Sequence, residues 1–346
     1  MDLAELERVM SEGAANLPQP EHRIKDHLKG LAGFNFVFPL TRWNPPSVSD
    51  GVKVSFLDVK GMDILPVRGD AVIQGDWSMS EILSIINNME PRKKWDDRFE
   101  GATQLELLNF NDMLVHSVQK GAFMVSGRDF LTVNSIPEIT EESLLAMAAS
   151  VNDSKGPAAN TNGKVRGEIM FAGWKVARKD DGLHVTYIVK FDPKGSIPSS
   201  LVKMVQSQTP MCIKTVEKCL QQHGPTPHVL LYQSVKPTEG ISLTDREVDF
   251  NKLVLAYTIK PDVEGKLHIA LPAAKFADGA NVTMEVEGGN MGTVQVIDRA
   301  TLGGLTSTHT KWIIALNHSS SSTTQHIKVN IKPGKGGKIQ LNGSDL

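Results

Sequence analysis

The segment from His184 to Gln222, HVTYIVKFDPKGSIPSSLVKMVQSQTPMCIKTVEKCLQQ, constrains this chain more than any other stretch of its 346 residues. His184 to Phe191 alternates as a strand, with Val185, Tyr187, Val189 and Phe191 on one side and His184, Thr186 and Lys190 on the other. One face of that strand must therefore be dry. Asp192-Pro193-Lys194-Gly195 forms a tight turn, and Ser196-Ile197-Pro198 opens a helix of about 24 residues. Val202, Val205, Thr209, Ile213, Val216 and Leu220 recur along it at spacings of three and four, a stripe that has to lie on something apolar. A long amphipathic helix fed from a terminal strand suits a lid over a curved antiparallel sheet.

Five further motifs precede this segment: Gly69-Asp70 ahead of Trp77 to Asn88, then Pro91-Arg92-Lys93-Lys94-Trp95-Asp96, Arg128-Asp129-Phe130, Gly163-Lys164-Val165-Arg166-Gly167-Glu168, and Gly173-Trp174. In this order, and with the strand, DPKGSIP turn and helix, residues 20 to 223 resemble the StAR-related lipid transfer (START) domain. The resemblance implies an α+β helix-grip fold, a curved antiparallel sheet closed by a long C-terminal lid helix. It also implies a hydrophobic lipid held in a tunnel between sheet and helix. The implied walls are Phe130, Thr132 and Asn134 on one strand, Ile169, Ala172 and Trp174 on the next, Tyr187 and Val189 on the last, and Val202, Val205, Thr209, Ile213 and Val216 on the helix. Arg128 and Asp129 are implied to orient the rim as a local ion pair. Some sterol- and phosphatidylcholine-binding members place a second arginine six positions after the first; this chain has Asn134, a neutral amide that can hydrogen-bond but cannot neutralise a phosphate. That departure points to a sterol or another weakly polar lipid ahead of a phospholipid.

The remaining sequence is organised around this core. Residues 1–19 read as a helical extension, 224–228 as a linker, and 229–346 as an all-β sandwich domain, because short alternating runs follow one another there between Gly, Pro, Asp, Asn and Ser without a helix. Trp77 to Met89 predicts a helix that Pro91 stops. Strands are expected at Val52 to Val59, Ile64 to Val67, Asp70 to Gln74, Thr103 to Leu108, Met113 to Val118, Ala122 to Val125 and Phe130 to Ser135. Glu141 to Val151 sets two levels against each other: Glu-Glu-Ser-Leu-Leu-Ala-Met-Ala-Ala favours helix locally, whereas the family template needs a strand, and the template prevails. Asp153 to Gly163 reads as a mobile loop, and Pro333 to Gly337 as a hairpin turn.

A lipid carrier needs no reactive groups, and few stand out. Histidines are not spaced as HxxxH, no CxxC occurs, and no Gly-x-Ser-x-Gly elbow occurs. No metal, no cofactor and no catalytic residue is expected; His116 and His184 read as satisfied strand histidines. The two cysteines, Cys212 and Cys219, lie one heptad apart on one helix, too distant to bridge, and read as reduced thiols. A net charge of -2 gives no basis for binding nucleic acid. The acidic, amphipathic start lacks the character of a secretory signal, so a cytoplasmic protein, peripheral at membranes, is expected. Its expected partners are a lipid ligand, a transient membrane surface, and a protein or membrane for the C-terminal domain, whose basic tip is Lys332 to Lys338. Two other readings exist: a hydrolase or cyclase on the same cavity fold, which needs a titratable pair inside the tunnel, and an interaction scaffold, which needs no void.

Overall fold

The computed structural model describes residues 1–121, 125–159, 163–195 and 197–346. The strand expected at Ala122 to Val125, residues 160–162 of the loop at Asp153 to Gly163, and Ser196 of the turn thus lie wholly or partly outside the described residues. The chain packs as two units: Met1–Gln74, Trp95–Glu138 and Leu144–Glu217 form the first, and Gly75–Lys94, Ile139–Ser143 and Lys218–Leu346 form the second.

The elements up to the second unit's strands are α1 (Leu3–Asn16), α2 (His27–Val37), β1 (Ser47–Ser49), β2 (Val52–Phe56), β3 (Val67–Ile73), α3 (Met79–Ile86), α4 (Met89–Trp95), β4 (Phe99–Leu107), β5 (Asp112–Gln119), β6 (Arg128–Ile139), β7 (Ser143–Ser150), β8 (Val165–Arg166), β9 (Glu168–Lys179), β10 (Gly182–Asp192), α5 (Ser199–Gln208) and α6 (Cys212–His223). Ten strands make one sheet in the order β1-β2-β3-β10-β9-β7-β6-β5-β4, with β8 added to β6 in parallel. Glu141 to Val151 does hold a strand, β7, so the sheet is continuous through its middle.

Two expectations are corrected. The helix after the DPKG turn is not one piece: a 3-10 turn at Thr209–Met211 separates α5 from α6. Pro210 is the reason, since it has no amide hydrogen for the helical ladder and its ring crowds the preceding turn. Nor does Pro91 stop the helix that begins near Trp77. That helix ends at Ile86, and Pro91 sits inside the first turn of α4, where the missing donor has no intrahelical partner to lose.

The second unit continues with β11 (His228–Val229), β12 (Ile241–Asp249), β13 (Lys252–Ile259), β14 (Gly265–Pro272), the single turn α7 (Ala273–Phe276), β15 (Gly279–Glu287), β16 (Thr293–Ile297), β17 (Thr310–His318), β18 (Gln325–Pro333), β19 (Lys338–Leu341) and β20 (Ser344–Asp345). They build two sheets, β11-β14-β17-β16 and β12-β13-β18-β15-β19-β20. Alternation on β13 buries Leu253, Leu255, Tyr257 and Ile259, and β18 answers with Ile327, Val329 and Ile331. Pro333 to Gly337 is not a hairpin turn. β18 and β19 do not pair; the loop carries the chain across β15, on which β19 adds in parallel. Positive φ at Gly336 and Gly337 permits that path.

α3 belongs to this unit through polar bonds. Ser78 and Glu81 form a capping box, and the other oxygen of the fully buried Glu81 carboxylate accepts from Thr310 Oγ1 at 2.8 Å. Tyr232 Oη accepts from Ser80 N at 2.9 Å, and Trp77 stacks on His309 with ring centres 3.8 Å apart.

Candidate functional site

Register assigns every side chain of the central strands to one of two faces. Tyr187 pairs with Trp174 and Val189 with Ala172, so these four share a face; Ile188 with Gly173 and Lys190 with Phe171 share the other. The second face is the one buried under α1 and α2. Leu6, Met10, Phe34 and Val37 pack there with Leu145, Met147, Phe171 and Ile188. Gly173 is required for this packing, because a Cβ would run into the Phe34 ring and Met147 Sδ. The same face continues over β5 and β6, where Ile24 packs with Leu114, Leu131, Val133 and Val151. Phe130, Thr132 and Asn134 therefore point to the opposite side, with Ser117, Val115 and Met113 as their register partners.

Ile169 would be expected on the helix-covered side by simple alternation from Phe171. A register shift between Lys190 and Phe191 pairs Phe191 with Ile169 and leaves Met170 as the extra residue, packed towards α1 and α2. The bulge so returns Ile169 to the face of Ala172 and Trp174. All eight sheet positions named from the sequence thus share one face.

That face carries no charge along its centre. Val67, Gly69 and Ala71 of β3 pair with Val189, Tyr187 and Val185, and β7 contributes Leu144, Ala146 and Ala148. Its central polar groups are neutral, Ser117, Thr132, Asn134, Ser150 and Tyr187, and Arg128 stands at its end. Trp174 lies 4.5 Å from Tyr187 and 6.0 Å, edge-on, from Trp95. Thr132 Oγ1 donates to Asn134 Oδ1 at 3.0 Å, which leaves the amide NH2 as the group Asn134 presents.

The helix positions divide at the break. Ile213 and Val216 on α6 are fully buried, whereas Val202 and Val205 on α5, and Thr209, are only half-buried and Met204 is exposed. The contacts that seat the helix come from residues the apolar stripe did not reveal. Pro210 sits on Gly69 of β3, on the uncharged face. Buried Gln206 donates to Leu65 O at 2.8 Å. Val72 and Gln74 lie beyond the last β3 residue that β2 pairs, Asp70, and α6 serves that free edge: Lys214 donates to Val72 O, and Glu217 accepts from Gln74 N at 2.9 Å.

Arg128 and Asp129 do not pair with each other, contrary to expectation, because neighbours on a strand point to opposite faces. Arg128 donates to three carbonyls, those of Ser126, Pro193 and Lys194, and so clamps the DPKG turn that leads into α5. Burial pulls its guanidinium below the ordinary value. In that turn Lys194 takes a positive φ, and its hydrogen bonds to Asp192 and Glu168 raise its ammonium value. Asp129, on the helix-covered face, accepts from Arg166 at 2.7 Å and His116 at 2.8 Å. Burial pushes its carboxyl up, but those bonds outweigh it and hold the group below the ordinary carboxylate value. His184 is bonded to Asp181 at 2.7 Å.

The START domain family model matches residues 76–226. Among solved structures, human STARD10 is similar at 22% identity, over 58% of this chain and 83% of that one, with a TM-score of 0.50. Human StAR-related lipid transfer protein 5 is 17% identical over 64% of this chain and 99% of its own, with a TM-score of 0.49. A StAR-related lipid transfer protein fragment from Xanthomonas axonopodis is 22% identical over 52% of this chain and 99% of its own, with a TM-score of 0.45. No curated protein sequence matches the chain. Among the described residues no helix is long and apolar enough to cross a membrane. The likeness to STARD10 bears on the fold, which is START-like, and the START domain family model matches residues 76–226, less than half of the chain.

Proposed function

We propose that this protein binds a neutral, weakly polar lipid, a sterol or an uncharged diacyl or isoprenoid lipid, on the uncharged face of its ten-stranded sheet, and carries it between membranes without chemical change. One observation carries the reading: in the central part of the sheet Asp129, Lys175 and Lys190 fall on the face under α1 and α2, while Phe130, Thr132, Asn134, Ala172, Trp174, Tyr187 and Val189 on the opposite face are apolar or neutral, and Arg128, at the end of that face, is held by the DPKG-turn carbonyls. Burial of apolar surface is what such a face offers. At roughly 0.8 kcal/mol per CH2, a sixteen-carbon chain released to water loses on the order of 13 kcal/mol, and a carrier has to replace most of it. The Asn134 amide, free to donate, suits a hydroxyl or carbonyl oxygen, and as a neutral group it cannot neutralise a phosphate.

α6 is the anchored half of the lid and α5 the half that moves, with the Thr209–Met211 break as the hinge. This division follows from burial: α6 inserts Ile213 and Val216 fully, and among the described side chains of α5 only Gln206 is buried. A hydrolase reading has less support, since the titratable cluster His116, Asp129 and Arg166 faces the other side of the sheet. The test is transfer between vesicles of a fluorescent sterol and of fluorescent phosphatidylcholine by the full chain. Sterol transfer well above phosphatidylcholine transfer, and about tenfold or more weaker sterol binding by Tyr187→Ala, are expected. Failure to move either lipid contradicts the proposal.

A further inference from the structure

The region where α2 begins and β5 begins holds a second polar constellation, remote in character from the uncharged face. His27 is the first residue of α2 and is 6% exposed, and the His22 side chain is as deeply covered. Asp112 is the first residue of β5. One ring nitrogen from each histidine and one carboxylate oxygen of Asp112 lie within 4.8 Å of one another. His22 Nε2 stands 3.2 Å from Asp112 Oδ2, and the two imidazoles are 5.5 Å apart at 31°.

Ordinary polar packing leaves this cluster unexplained. Nδ1 of His22 and Nδ1 of His27 are both buried without a hydrogen-bond partner. A buried imidazole nitrogen without a partner is costly, and His27 Nδ1 is left for an incoming ligand beside the His22 Nε2–Asp112 pair. Their positions are nonetheless firmly built. Ile24, between them, is a core residue against Leu114, Leu131, Val133 and Val151, and Arg23 is ion-paired to Asp153 and, at 2.6 Å, to Glu106. The carboxylate is aimed as well: Asn109 Nδ2 donates to Asp112 Oδ2 at 2.8 Å, while Asn109 Oδ1 accepts from Asp112 N at 2.7 Å.

We propose that His22, His27 and Asp112 form a Zn2+ site that ties the start of α2 to the start of β5. Two imidazoles and a carboxylate are a borderline donor set, suited to zinc, whereas magnesium and calcium prefer all-oxygen sites. Bonds near 2.0 to 2.1 Å at the tetrahedral angle put donors about 3.3 Å apart. The separation of His22 Nε2 from Asp112 already meets that edge, and closure brings the remaining donors, now within 4.8 Å of one another, to the same spacing. Three protein ligands leave one position for water. Asn109 then acts as the positioning residue that orients the Asp112 carboxylate towards the ion. Nothing in this proposal depends on what the uncharged face binds.

The test uses the full chain, made without a histidine tag, stripped with a chelator and titrated with Zn2+ and, separately, Co2+. One equivalent of zinc in native mass spectrometry is expected, together with the intense visible absorption of four-coordinate Co2+, displaced by zinc. Asp112→Asn and His27→Gln should each weaken zinc on the order of 100-fold or more, and Asn109→Ala by about 10- to 100-fold. Circular dichroism keeps misfolded variants out of the comparison, and the wild-type stoichiometry stands without any variant. No saturable zinc binding at one equivalent, or binding unchanged in folded Asp112→Asn and Asn109→Ala, overturns the assignment.

Discussion

Asp129 shows how much a single buried side chain can organise here. Its Oδ2 takes bonds from Arg166 and His116 while Oδ1 has no partner, and the group is 4% exposed. Because its folded value lies below the ordinary 3.8, both states are ionised above that pH and the contribution is fully present there. As pH falls below 3.8 the unfolded chain takes the proton first, and the contribution is lost through the lower folded value. Asp129→Asn should therefore cost about 2 kcal/mol in denaturant unfolding at pH 7, with the gap to wild type unchanged down to about pH 5 and closing below about pH 4. At this scale the sequence was half legible. The Arg128-Asp129 pair marked a rim, but its partners are the carbonyls of Pro193 and Lys194 on one side and His116 and Arg166 on the other, and no local pattern announces bonds across 65 positions. Asn134 was legible as a missing cation; that Thr132 occupies its carbonyl was not.

Among elements, the grip of the helix on β3 depends on the absence of a side chain. Gly69 faces Pro210, so Gly69→Ala should lift the Thr209–Met211 turn from the strand and cost roughly 1 to 3 kcal/mol, with faster amide exchange from Gln206 to Met211. Gly101 on β4 has open space where a Cβ would stand, and Gly101→Ala in the same thermal melts should be neutral or stabilising by about 0.5 to 1 kcal/mol. Equal destabilisation by the two would contradict this account of the contact. β7 shows why propensity misleads here. Its alanines favour helix, yet Gly30 of α2 lies against Ala149, so the helix approaches too closely for larger side chains, and small residues in this strand record packing. The break at Pro210 was visible in the sequence, but the apolar stripe runs across it in phase and conceals it.

For the whole molecule, alternation made the sheets readable in both halves, because each strand has to separate a dry side from another. Other features were not readable. Residues 75–94 pack with the C-terminal strands through bonds such as Glu81 to Thr310, 229 positions apart. The cluster of His22, His27 and Asp112 escaped notice because its third member is 90 positions from the first. The proposed lipid binding rests on the uncharged sheet face, and the most direct measurement of it is native mass spectrometry, with lipid extraction, of the full chain purified from a lipid-containing host. One neutral lipid per chain, lost on Tyr187→Ala and on Asn134→Leu, is the predicted result; a chain that emerges empty, or that keeps its lipid in both variants, contradicts the assignment of that face.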